Sequence, residues 1–226
     1  MILEDYKEIV GFCAMFTTMA QMLSGTLICR NIYKKGSARG VDPMPFLGGI
    51  GICILMLRHA WMLGDSNMIN ANIFGLLTST IYMIIYYRYA PNTNEVLKLT
   101  YKVTIFVVIF LVYAQIEDPT NVEYRFGIVI TVLLLLLIAA PLVHLKKVIQ
   151  TKNTEILPFP LIFMGTLVSF QWLLYGIIID NVFVIFQNAV GLTLSVAQLS
   201  LFVIFPSKMS QVELLNEQMD QKRGVD

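Results

Sequence analysis

Seven stretches of this chain are too apolar and too long to belong to an ordinary soluble domain. They cover roughly Ile9–Cys29, Met44–Leu63, Met68–Tyr87, Leu99–Ile116, Phe126–Leu145, Ile156–Ile179 and Val182–Phe205. A helix needs about 20 apolar residues to cross a hydrocarbon layer ~30 Å thick. Six runs reach that length, and the fourth, at about 18 residues, just suffices. The composition agrees, with 57% hydrophobic and only 14% charged residues. Acidic residues precede the first run and no A-x-A site follows it, so it reads as a span rather than a signal peptide. The expectation is an all-α membrane protein with seven transmembrane helices. Cys13, Cys29 and Cys53 all fall inside apolar runs, where they read as small buried hydrophobes and give no disulfide framework.

Charge orients the chain. Arg30, Lys34, Lys35 and Arg39, then Arg88, Lys98 and Lys102, then Lys146, Lys147 and Lys152, then Lys208, Lys222 and Arg223 all fall on one side of the seven runs. The opposite side holds Lys7 and Arg125 among a larger number of acids. An excess of Lys and Arg marks cytoplasmic loops. The N-terminus is therefore expected outside and the C-terminus in the cytosol. A net charge of +1 suggests no nucleic-acid partner.

A shift of about 116 residues lays runs one to three on runs five to seven. "ICRNIYKKGS" falls on "LKKVIQTKNT", "DPMPFLGG" on "LPFPLIFMG", and "GDSNMINANIFG" on "DNVFVIFQNAVG". The fourth run has no counterpart. Two three-helix units in series would face opposite ways, and one added helix restores a parallel arrangement. The fold expected is two parallel three-helix bundles joined by a linker helix: 1–90, 91–117 as the linker, 118–206, then a cytosolic tail over 207–226.

The repeated segments carry matching polar stripes. Asn72, Gly75, Ser79 and Tyr82 share a helix face, and so do Asn188, Gly191, Ser195 and Gln198. An unpaired amide in hydrocarbon costs several kcal/mol, so each stripe must face protein or a water-filled cavity. A packing seam and a binding site both satisfy that demand. Matched depth on symmetry-related helices favours the second, because the two asparagines would converge on the axis between the bundles. Trp172 lies near the middle of its run, too deep for an interfacial belt, whereas Trp61 fits one. Pro141 sits deep in the fifth run and should kink its helix. Pro45 and Pro160 stand near helix starts, where proline is tolerated. No Asp or Glu lies at the centre of a run, which argues against coupling to an ion or proton gradient.

These features resemble the SWEET (MtN3/saliva) sugar transporters, of the animal type, over nearly the whole chain. "PLVHLKKVIQTKNTEILPFPLIFMGTLVSFQWLLYG" followed by "NAVG" is the most specific segment. The resemblance implies a facilitative sugar uniporter working by alternating access between parallel repeats. It implies that Asn72 and Asn188 hold the sugar, since an amide both donates and accepts. Trp172 would stack on the ring with Met56 as its softer opposite wall, and Ser79 and Ser195 complete the site. The family pattern has a proline hinge in each of four helices. Pro45, Pro141 and Pro160 fill three of these places, and Gly25 stands where the fourth would be. Paired tyrosines with an acid and a base close the outer face in this family. Tyr175 and Asp180 match part of that set, His59 replaces the other tyrosine, and Arg58 is the candidate base for Asp180.

The implied partners are a sugar, the lipid bilayer and other copies of the chain in a homo-oligomer. The implied location is the plasma membrane, with the Golgi as alternative. Neither a metal nor a cofactor is implied, His59 and His144 being isolated, and no nucleophile–base pair suggests an enzyme. A G-protein-coupled receptor would have no such repeat, and D-R-Y and N-P-x-x-Y are missing. A receptor-like protein or scaffold on a transporter fold, without flux, remains the alternative that only a transport assay separates.

Overall fold

The computed structural model describes residues 4–139, 142–154 and 157–205. The first run is split into α1 (Lys7–Met22) and α2 (Gly25–Lys35), and the second and third become α3 (Met44–Leu63) and α4 (Ser66–Arg88). The linker is α5 (Thr93–Ile116). The fifth run holds α6 (Val122–Ala139) and α7 (Leu142–Thr151), and the last two are α8 (Phe159–Ile178) and α9 (Val182–Ile204). Pro141 and the tail beyond Phe205 lie outside the described residues.

Local chemistry sets the helix ends, and the repeat recurs in it. Asp65 caps α4 by accepting from the Met68 N–H at 2.9 Å, and Asn181 caps α9 from the Val184 N–H at 3.0 Å. Pro45 and Pro160 fall in the first turn of α3 and α8, where a missing N–H leaves no intrahelical bond unmade. Each bundle also ties an early loop to the end of its third helix. The Ala38 N–H donates to the Tyr89 carbonyl at 2.9 Å, and the Thr154 hydroxyl to the Phe205 carbonyl at 2.9 Å.

The first run, read as one span with a hinge at Gly25, breaks at Leu23 and Ser24, directly before that glycine. The chain there tightens into i to i+3 bonds, with Ser24 N–H on Gln21, Thr26 N–H on Leu23 and Leu27 N–H on Ser24. No proline causes this. A Cβ on Gly25 would land on ring carbons of Tyr82, whose hydroxyl lies 2.9 Å from the Thr26 hydroxyl. Glycine at that place lets the aromatic ring pack directly against the backbone where the helix changes direction.

Packing follows the repeat. In the first bundle α4 lies against α1, α2 and α3, and in the second α9 lies against α8 and α6. The bundles meet along two seams, α1 on α8 and α3 on α6, which exchange under the 116-residue shift. Linker α5 runs along α3, and their shared cluster reaches Phe126 and Ile130 of α6. Across the loop after α5, Arg125 of α6 pairs with Glu117 at 2.9 Å. A hydrogen bond from Tyr113, with help from Arg125, keeps the Glu117 carboxyl below the usual carboxylate range.

The outside of the molecule is apolar. Leu27, Ile109, Leu136 and Val203 are all more than half exposed. A water-soluble fold would not leave such a surface, and a bilayer covers it without cost. Six described helical stretches are long and apolar enough to span.

Candidate functional site

A cavity of about 890 Å³ lies between the bundles, lined by residues of α1, α3, α4, α6, α8 and α9 and by the loop entering α8. Asn72 and Asn188 face it from α4 and α9 with the same geometry. Asn72 Nδ2 donates to the Met68 carbonyl at 2.8 Å, and Asn188 Nδ2 to the Val184 carbonyl at 2.8 Å. Each amide is thus anchored four residues back on its own helix. The carbonyl oxygen and second N–H of each bond to no described residue, which leaves one acceptor and one donor for a bound molecule.

Trp172 and Met56 line the same space. The indole N–H donates to the Thr18 hydroxyl at 2.7 Å across the α1–α8 seam, and that hydroxyl donates to the Ala14 carbonyl at 2.7 Å. With its N–H occupied and Tyr175 packed edge-on at 5.6 Å, the indole is held in place and can offer only ring surface. Beside it on the same seam, Thr17 donates to the Gln171 side chain.

The two serines part company. Ser195 lines the cavity and donates to the Gly191 carbonyl. Ser79 is absent from the lining: it faces Gly49 of α3, where an added Cβ would come within 2.8 Å of its hydroxyl. The stripe on α4 below Asn72 is consumed by packing, Gly75 against Met22 and Cys53, and Tyr82 against Gly25. The stripe on α9 stays open down to Gln198. From the asparagine level the cavity therefore runs to the exposed residues Pro45 and Pro158, at the end of the bundle that carries the basic loops.

The opposite end is shut. The Tyr175 hydroxyl donates to the Asp65 carboxylate at 2.5 Å, and Asn67 Nδ2 donates to that hydroxyl at 3.3 Å. Gly11 of α1 lies so near that a Cβ there would strike Asn67 and Tyr175. Asp65 and Asn67 sit in the turn where the carbonyl acceptors of α3 end and α4 begins, which is why both reach the same hydroxyl. Under the repeat, Tyr175, Asp65, Asn67 and Gly11 correspond to His59, Asn181, Phe183 and Gly127. Among the described residues the members of that second set make no polar contact with one another, Asn181 serving only as the cap of α9. Gly127 abuts the Phe183 ring, and His59 is 1% exposed between Phe126 and Phe183 with neither ring nitrogen bonded.

Asp180, expected as the gate acid, lies in an exposed turn with φ +53°. It forms no ion pair with Arg58 among the described residues, and Tyr175 turns to Asp65 instead. In the sequence Asp65 reads as a loop acid, although its register with the helix cap Asn181 is a usable signal. Thr18 gave none, since nothing local predicts a partner 154 residues away.

A buried imidazole with both nitrogens unmet costs roughly 1–3 kcal/mol. Replacing His59 by Phe is expected to raise the melting temperature of the detergent-purified protein, by about 2–4 °C per kcal/mol gained for a chain of this size. An unchanged or lower melting temperature would mean that the ring has a partner, or that Phe overfills the space between Phe126 and Phe183.

Comparison with known proteins was consistent across sequence and structure. The profile of the MtN3/saliva family, described as sugar efflux transporters for intercellular exchange, matches twice, over residues 8–94 and 124–210. The two matches begin and end 116 residues apart. The chain is 35% identical over 204 residues to "Sugar transporter SWEET1" of Drosophila pseudoobscura pseudoobscura, covering 89% of this chain and 90% of that protein. It is 27% identical over 211 residues to "Sugar transporter SWEET1" of Caenorhabditis elegans, covering 93% of this chain and 69% of the relative. Its fold is similar to the solved structure of a eukaryotic SWEET transporter, with TM-score 0.84, 23% identity, and coverage of 92% of this chain and all of the other.

Proposed function

This chain belongs to the SWEET (MtN3/saliva) family of sugar transporters, and on that premise we propose that it carries mono- or disaccharides across a membrane by facilitated uniport. The observation that carries the reading is the matched pair of anchored amides, Asn72 and Asn188, facing one cavity on the repeat axis beside Trp172. A sugar ring offers hydroxyl edges for the amides and a C–H face for the indole.

The cavity supports uniport. Among the described residues, none that line it is acidic or basic. Transporters that couple to a gradient generally carry an intramembrane carboxylate for the coupling charge. Alternating access is supported by one end being sealed through Tyr175 and Asp65 while the other leads out past Pro45 and Pro158. The bias of Lys and Arg to one side supports a cytosolic open end and an outer sealed end. The protein would then be facing inward. Rocking the bundles about the asparagine level would break the Tyr175–Asp65 bond as the basic end closes, with Gly25, Pro45, Pro141 and Pro160 as the flexing points. The plasma membrane is the expected location, and self-association in a homo-oligomer accompanies the family reading.

The test is uptake of radiolabelled glucose and sucrose into liposomes holding the purified protein. Flux is expected to equilibrate without concentrating the sugar, and to be unchanged when proton and sodium gradients are imposed or collapsed. Accumulation that follows either gradient would refute uniport. No flux of any sugar through folded protein would favour a scaffold role.

A further inference from the structure

The repeat pairs most of the cavity wall with itself, and one pair is conspicuously unlike. Ala71 precedes Asn72 on α4, whereas Gln187 precedes Asn188 on α9, and all four line the cavity. Gln187 is only 6% exposed, so its amide is placed by protein contacts rather than by bulk water.

Those contacts fix which way the amide points. Thr131 of α6 has one hydroxyl hydrogen, and it is spent on the Gly127 carbonyl at 2.8 Å. Its oxygen can then only accept, and Gln187 Nε2 donates to it at 2.6 Å. The chain of bonds from Gly127 through Thr131 to Gln187 turns the amide so that Oε1 is the end left over. Oε1 bonds to no described residue. It is also not sealed in: the buried unbonded side-chain atoms among the described residues are the two nitrogens of His59. The open space that Gln187 borders is the cavity.

We propose that Gln187 is a third sugar-holding amide, present in the second bundle only, and that its Oε1 accepts a hydrogen bond from one substrate hydroxyl. The inference rests on the sugar-transport reading above. It makes the site lopsided. One edge of the sugar meets Asn188 and Gln187 together, while the symmetry-related edge meets Asn72 beside the methyl group of Ala71. A pseudo-symmetric cavity can in this way select one orientation of an unsymmetrical ring. The bond has a chemical signature as well. A carbonyl oxygen needs a donor, so a fluorine in place of the hydroxyl cannot substitute for it.

The experiment is uptake by the full-length protein in liposomes, with glucose competed by its monodeoxy and monodeoxyfluoro analogues, for wild type, Gln187→Met and Thr131→Val. Methionine keeps the length and removes both donor and acceptor. Wild type is expected to penalise one ring position equally in the deoxy and deoxyfluoro analogues. Gln187→Met should raise KM for glucose about tenfold, with a smaller change in maximum rate, and lose the penalty at that position alone. Thr131→Val, which frees the amide to turn, should weaken the same penalty by less. Wild-type flux with an unchanged analogue profile in Gln187→Met would overturn the inference and leave the transport reading standing. A uniform loss across all positions would overturn it too, since that is what a purely structural glutamine predicts. A wild-type protein that moves none of these sugars overturns the transport reading first.

Discussion

Alanine at Asn72 or at Asn188 is expected to cut sugar uptake roughly 30- to 1000-fold, with the protein still folded. Each amide has one acceptor and one donor to offer after anchoring itself on Met68 or Val184. On the proposed reading, losing both would leave two sugar groups unmet in a site closed at its Tyr175–Asp65 end. With the cavity open to water at its other end, each unmet group costs about 1–2 kcal/mol, and about 1.4 kcal/mol is a factor of ten, so a total near 2–4 kcal/mol gives the stated range. The folding cost should stay under ~1 kcal/mol, because the anchoring carbonyls are already bonded within their helices. Initial rates in liposomes and a thermal melt on the same preparation measure the two quantities. Because the two anchors have the same length and register, the variants should fall by similar factors. One variant at wild-type flux would return both residues to the role of packing seam.

The second large effect is expected at the outer end, and the repeat provides its control. Asp65 caps α4 and also accepts from Tyr175, whereas its mate Asn181 only caps α9. Alanine at either position loses a cap, about 1 kcal/mol. Alanine at Asp65 loses in addition a bond to a charged acceptor, about 1.5–3 kcal/mol, and loses it only in the closed state. That difference should raise the outward-open population roughly 10- to 100-fold for Asp65→Ala and leave it unchanged for Asn181→Ala. The readout is labelling by an impermeant maleimide of a cysteine placed at Ala14, which is fully buried in the closed form. The native cysteines would be replaced first. Equal labelling rates in the two variants would show that Tyr175 and Asp65 do not hold the outer end.

Much of this architecture is legible without coordinates, and for physical reasons. A span must be long and apolar, and a buried amide must be answered, so the runs and the two asparagine stripes announce themselves. The 116-residue shift is equally plain, because caps, prolines and basic turns recur with it. What periodicity could not supply was the fate of each stripe. Ser79 and Ser195 stand in the same register, yet one packs on Gly49 and the other borders the cavity. Their neighbours in the stripe part in the same way, since the Tyr82 ring packs on Gly25 while its mate Gln198 lines the cavity. The hinge at Gly25 is legible from its register with Pro141, but the ring that packs against it, 57 positions away, is not. Asp65 and Gln187 carry no signal of the kind that marks residues identical across the repeat. Both act through a partner that their mates lack.

The linker suggests how far such a molecule can swing. Helix α5 rides on α3 and so travels with the first bundle, whereas α6 begins the second. Between Ile116 and Val122 lie only residues 117–121, with Arg125 clasping Glu117 across the gap. Six steps of at most ~3.6 Å keep the two helix ends within about 20 Å however the bundles tilt. The segment lies at the same end of the molecule as the Tyr175–Asp65 contact, so under the proposed rocking motion it would act as a leash where the bundles part. On that reading its length sets an upper bound on the stroke, and trimming it by two residues would shorten the reach by about a third.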